Sequence, residues 1–183
     1  MTLACRLADD AVRGPTLHDV VGDAAFLAGA PRRFLMEIAL QPVGHGVADH
    51  SRALRDPVEY SAFDPGLQLW VAGCMYYGGR DMWQRMFGPL DDEAAERLYR
   101  EFQTYGTSLQ VPPEDWPADR AAYDAYVART LDGIEIDERV REYGARLLDP
   151  SGHPLPARPV FRLMRFLTIG LLPAQLRDAY GFA

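Results

Sequence analysis

Residues 59–90, EYSAFDPGLQLWVAGCMYYGGRDMWQRMFGPL, decide the fold, because they combine the strongest helix start in the chain with its densest aromatics and a clear stop. Asp64 is placed to accept first-turn amide hydrogens, and Pro65 suits the first helical position, where its fixed φ is preorganised and its missing N–H costs nothing. Leu67, Trp70, Val71, Cys74, Tyr77 and Met82 or Trp83 then recur near helical spacing, and few charges precede Arg80 and Asp81. Such a helix is buried on most sides. Gly73, Gly78 and Gly79 weaken a helix interior, so they predict a bend or the close approach of another backbone or a flat ligand. Gly88-Pro89 ends the element.

Outward from this helix the pattern stays helical. Asp91 and Asp92 open a helix whose stripe is Ala95, Leu98, Tyr99, Phe102 and Tyr105, with Gly106 as its stop. A proline-broken connection, Thr107 to Pro117, leads to a helix over 118–132 with Tyr123, Tyr126, Val127 and Leu131 inward. Asp137 caps the next, which buries Val140, Gly144, Leu147 and Leu148. A proline-rich crossing loop, 149–159, leaves His153 exposed and precedes a helix over 160–170, a break at Pro173 and a short terminal helix. On the N-terminal side, 22–27 and 32–40 form two helical pieces, the second with Phe34, Leu35, Ile38 and Ala39 on one side. Residues 43–54 form another, whose apolar face, Val43, Val47, His50 and Leu54, turns His50 inward, while His45 and Asp49 lie one turn apart on another side. No segment alternates as a half-buried strand does. The expectation is an all-α, single-domain bundle of seven or eight helices over 22–183, around a buried central helix, with 1–21 a partly ordered lead-in.

Composition narrows the chemistry. The 183 residues are 48% hydrophobic, enough for one core without disulfides. Cys5 and Cys74 stand alone, with no CxxCH, which excludes covalent c-type haem and reads as reduced thiols in the cytoplasm. No apolar run approaches the ~18 residues of a membrane span. The net charge of −7 comes from 26 acids against 19 bases, all arginine. Without lysine there is no Schiff base and no P-loop. An acidic domain also disfavours a nucleic-acid partner. No Glu-x-x-His pair supports a di-iron bundle, and no GxSxG supports a hydrolase elbow. What remains is a helical box with 20 aromatic residues (8 Phe, 9 Tyr, 3 Trp), suited to a large apolar ligand. The plainer reading of His50 is a core histidine hydrogen-bonded to a neighbour, and that of Cys74 a small hydrophobe.

Taken in order, Gly22-Asp23, Pro42 with Gly46-Val47-Ala48-Asp49-His50-Ser51, Tyr60-Ser61-Ala62-Phe63-Asp64-Pro65 with Trp70, Gly88-Pro89-Leu90, Tyr99-Arg100-Glu101-Phe102, Val111-Pro112 and Leu171 to Gly181 resemble the MpaB-type oxygenases, the family that also holds the latex-clearing (rubber) oxygenases. The resemblance implies an all-α fold around non-covalent haem b and activity on apolar substrates, isoprenoid or other natural-product intermediates. One departure matters. In the family a longer segment between the HS and YxAxDP motifs carries the histidine that holds the iron, whereas here Asp56-Pro57-Val58-Glu59 joins the two directly. Either His50 or His45 serves as iron ligand, or the chain binds no haem and is a cofactor-independent enzyme, such as a cyclase or isomerase, or a binding protein for an apolar ligand. On the haem reading His50 is the metal ligand, with Arg52 and Arg55 available to the propionates and Trp70 in contact with the cofactor. His50, Tyr60 and Glu101 are the candidate catalytic groups. Glu101 flanks the Leu98–Phe102 stripe, and its plainer reading is a rim residue paired with Arg97.

Overall fold

The computed structural model describes residues 16–22, 29–40, 42–44 and 64–182. Within them the chain forms helices α1 (Leu17–Gly22), α2 (Ala30–Glu37), α3 (Pro65–Phe87), α4 (Asp92–Ser108), α5 (Arg120–Asp132) and α6 (Glu138–Leu147). Two 3₁₀ turns, Pro150–Gly152 and Leu155–Ala157, lead into α7 (Arg158–Leu171) and α8 (Ala174–Tyr180), and no strand occurs among the described residues. The fold is all-α.

Local signals start these helices where the sequence places them. Asp64 accepts the Leu67 amide hydrogen at 3.0 Å, Asp91 that of Ala94 at 2.7 Å, and Asp137 that of Val140 at 2.9 Å. Each satisfies one of the orphan donors of a first turn, which stabilises the helix by about 1 kcal/mol. Gly88, at φ 94°, closes α3.

α3 lies between α2 and α4, and α8 packs on α5 and α6. The core is continuous through Leu35, Met36, Trp70, Tyr76, Leu98, Tyr99, Phe102, Tyr123, Val140, Leu176 and Tyr180. Long-range hydrogen bonds tie it together: Tyr180 donates to the Leu35 carbonyl at 2.8 Å, linking α8 to α2. Trp70 donates to the Met36 carbonyl at 3.0 Å, linking α3 to α2.

Several expectations need correction. On α3 the fully buried tyrosine is Tyr76 and Tyr77 is only half-buried, because one step along a helix rotates a side chain by about 100°. Gly106 does not stop α4. It lies in the last turn, where a Cβ would stand 2.8 Å from the Trp116 ring, and the chain reverses only at Gln110, at φ 72°. Leu147, on the outer side of α6, is exposed. His153 is half-buried rather than free, its ring stacked on Phe161 with centroids 3.4 Å apart. The expected lead-in is described only from residue 16, where it forms α1, with Thr16 Oγ1 donating to Asp19 at 2.6 Å and Val20 in the core. The helix expected at 22–27 and most of that at 43–54 lie outside the described residues.

Candidate functional site

The α2–α3 contact concentrates the buried charge of the described core. Arg32 and Arg33 are both buried, on a helix whose other inward residues are Leu35 and Met36. Arg32 donates to Asp81 at 2.5 Å, lies over the Tyr77 ring at 5.1 Å and leaves its Nε without a hydrogen bond. Asp81 also accepts from Arg85 at 2.8 Å. Burial works against the Asp81 charge, but the hydrogen bonds from Arg85 and Arg32 outweigh it and hold the carboxyl below its ordinary range.

Arg33 passes over Gly78. A Cβ at that position would stand 2.4 Å from Arg33 Cγ and 2.5 Å from Cδ, so the glycine makes room for an arginine stem, neither for a backbone nor for a flat ligand. Burial lowers the Arg33 pKa and Arg32 adds to the effect, while Glu37, one turn along α2, opposes it. Burial in turn pushes Glu37 from an ordinary 4.5 up to about 7, with Arg33 working the other way. A carboxyl at that value exchanges protons at neutral pH, which an exposed glutamate does not. The neighbouring Cys74 thiol is pushed well above its ordinary value by burial and by Glu37, so it is a neutral packing group. Tyr105 on α4 donates to Met75 Sδ at 3.2 Å.

The sequence-derived candidates fall into two sets. His50, Tyr60, Arg52 and Arg55, with His45, lie outside the described residues. Trp70 and Glu101 are described, and each has a structural partner. Trp70 is buried, edge-on to Tyr126 at 6.4 Å, with its indole N–H held by Met36. Glu101 accepts the Leu17 amide hydrogen and so caps α1 from across the fold, while Arg97 stands 3.8 Å from Glu93. The Arg33–Glu37 pair is the addition from the structure. Its sequence signal is an arginine and a glutamate four apart on an apolar helix.

Similarity to known proteins gives this site its setting. The family model for the catalytic domain described as ER-bound oxygenase mpaB/B'/Rubber oxygenase matches residues 52–183, and the chain belongs to that family. Uncharacterized proteins of Mycobacterium tuberculosis (Rv2237) and Mycobacterium bovis (Mb2261) are each 44% identical to it over 124 residues, 66% of this chain. The match covers 48% of each relative, so the chain spans about half the length of the curated relatives it matches. No solved structure matches it. Among the described residues no helix is long and apolar enough to cross a membrane, and no cluster of three or more His, Cys, Asp or Glu side chains is placed to hold a metal ion.

Proposed function

We propose that this chain is an oxygenase-like enzyme acting on a hydrophobic small molecule of the isoprenoid or natural-product kind, with Glu37 and Arg33 as the polar end of its working site and haem held through His50. What supports the reading is the α2–α3 contact, where Glu37, pushed up to about 7 by burial, lies one turn from the buried Arg33 on a helix packed against α3 of the oxygenase-family residues 52–183. Near neutral pH Glu37 can give a proton to, or take one from, a substrate oxygen, and Arg33 favours its ionised form.

A second, haem-free reading stands beside it. The described residues do not fit a haem iron. His18 is exposed, His153 is stacked on Phe161, and Cys74 is held neutral. The first reading therefore depends on His50 or His45. Titrating the purified protein with haem separates the two. A Soret band that shifts on uptake and disappears in His50→Ala supports the first. No uptake overturns it and leaves a cofactor-independent enzyme or a binding protein for an apolar ligand built on the same family fold.

A further inference from the structure

Helix α7 presents its apolar side outward. Thr168 is buried, and the opposite side carries Pro159, Leu163, Phe166 and Gly170 in line at steps of four, three and four, with Val160 and Leu167 beside them. Phe166 is 73% exposed, Val160 61% and Leu163 57%, and Leu155, on the turn leading into the helix, is 74% exposed. The helix rests on α2 and on the two 3₁₀ turns. A row of large apolar side chains left in water on one helix marks an interaction face.

Charge indicates what covers it. In a chain of net charge −7 there is no acidic residue between Asp149 and Asp178, while Arg158, Arg162, Arg165 and Arg177 fall within that span. Arg162 is exposed, next to Phe166 around the helix. Arg158 is turned back to the Ser151 and His153 carbonyls at 3.0 Å, and Arg165 lies over Phe182 at 5.8 Å, so the positive charge stays along the base of the helix. A second copy docked through the same face would set this arginine edge against itself across a two-fold axis. An anionic lipid surface complements both the apolar row and the exposed Arg162 at its edge, the combination that lays an amphipathic helix flat in a bilayer interface without spanning it.

We propose that α7 docks this chain peripherally on an anionic bilayer, with Leu163 and Phe166 entering the interface and Arg162 at headgroup level. Flotation of the full chain with vesicles tests it. The chain is expected to float with mixed phosphatidylcholine–phosphatidylglycerol vesicles, to stay behind with phosphatidylcholine alone, and to be released by raised salt. The double variant Leu163→Ser/Phe166→Ser alters two exposed positions and should keep the helical circular dichroism spectrum, yet lose about tenfold or more in partitioning. Arg162→Glu should weaken binding to the anionic vesicles alone. No flotation with anionic vesicles overturns the proposal. So does a serine variant that floats like the parent, or a dimer, seen by light scattering, that the serine variant splits while vesicles remain unbound.

Discussion

The two faces of α3 solve the problem of buried polarity in opposite ways. Toward α4 and α5 the helix shows Tyr76, which stacks edge-on to Tyr99 at 5.3 Å and Tyr123 at 4.8 Å and tilts against Phe102 at 5.4 Å. There the buried polar groups are chiefly hydroxyls, two of which find backbone carbonyls: Tyr123 donates to Gly73 at 2.7 Å, and Tyr99 donates to Pro117. The one guanidinium on that side, Arg80, lies over Tyr76 and Tyr123 and reaches outward to Asp124 at 2.8 Å. Toward α2 the same helix meets the buried guanidinium groups of Arg32 and Arg33, with the half-buried Glu37 one turn further on, and gives up a side chain at Gly78 to admit Arg33. Tyrosine hydroxyls cost little to bury once bonded, whereas buried charges stabilise a fold only when well paired and otherwise cost several kcal/mol. A core that keeps the second arrangement beside the first carries a stability penalty on one face, as sites that do chemistry often do.

The charged α2 face should make stability depend on pH in a way the aromatic face does not. Glu37 has a folded pKa of about 7 against an ordinary 4.5. A carboxyl raised in the folded state contributes stability that is fully present below the lower value and is lost as pH rises through the higher one. Glu37→Gln removes that loss. Urea unfolding of variant and parent should therefore diverge in the variant's favour by up to about 3 kcal/mol between pH 4 and pH 8, because each tenfold difference in proton affinity between the folded and unfolded chain is worth roughly 1.4 kcal/mol. Parallel curves across that range would show that Glu37 is solvated and the α2 face no costlier than the other.

That contrast was only half legible in the sequence. Caps are local, so Asp64, Asp91 and Asp137 could be read from neighbouring residues alone. The stripe of α4 was equally plain, since Leu98, Tyr99 and Phe102 repeat on a helix whose other side is charged. α3 is buried nearly all round, so apolar spacing had no polar side to measure against and put Tyr77 where Tyr76 belongs. Gly106 reads as a stop unless Trp116, ten residues on, is known to fold back over it. Arginines are most often solvated, and nothing local says that Gly78, 45 residues after Arg33, leaves the space that takes Arg33 inside. Glu101 illustrates the same limit: its partner, the Leu17 amide, is 84 residues away. His50, read as inward from the apolar spacing of 43–54, and Tyr60, Arg52 and Arg55 fall outside the described residues, and the haem roles of His50, Arg52 and Arg55 rest on the family resemblance.

The glycines of α3 sharpen the difference between its faces. Gly78→Ala drives a methyl into the stem of Arg33, which is 6% exposed and has nowhere to swing, so a loss of about 1–3 kcal/mol is expected. Gly73→Ala meets Tyr123 at 3.5 Å, an ordinary contact, and should gain about 0.5–1 kcal/mol from reduced backbone freedom in the unfolded chain. Thermal melts of the two variants should thus move in opposite directions. A Gly78→Ala protein as stable as its parent would mean that Arg33 does not lie across the helix.

The smallest effect separates two tyrosines within the aromatic face itself. The Tyr123 hydroxyl donates to the Gly73 carbonyl, and Tyr123→Phe should cost about 1 kcal/mol, the net value of a buried hydrogen bond. The Tyr76 hydroxyl is buried with no hydrogen bond of good geometry, and its electrostatic partner is the Arg80 guanidinium. Burial raises its pKa and Arg80 opposes that rise, so at neutral pH the group is a neutral phenol whose donor is unused. Tyr76→Phe therefore discards a desolvated polar group while keeping every ring contact, and should be neutral or stabilising by up to about 1 kcal/mol. Urea midpoints with unchanged slope are the measurement. If Tyr76→Phe proved the more damaging of the two, the Tyr76 hydroxyl would have to be bonded to Arg80, and the aromatic face would carry a buried charged contact of its own.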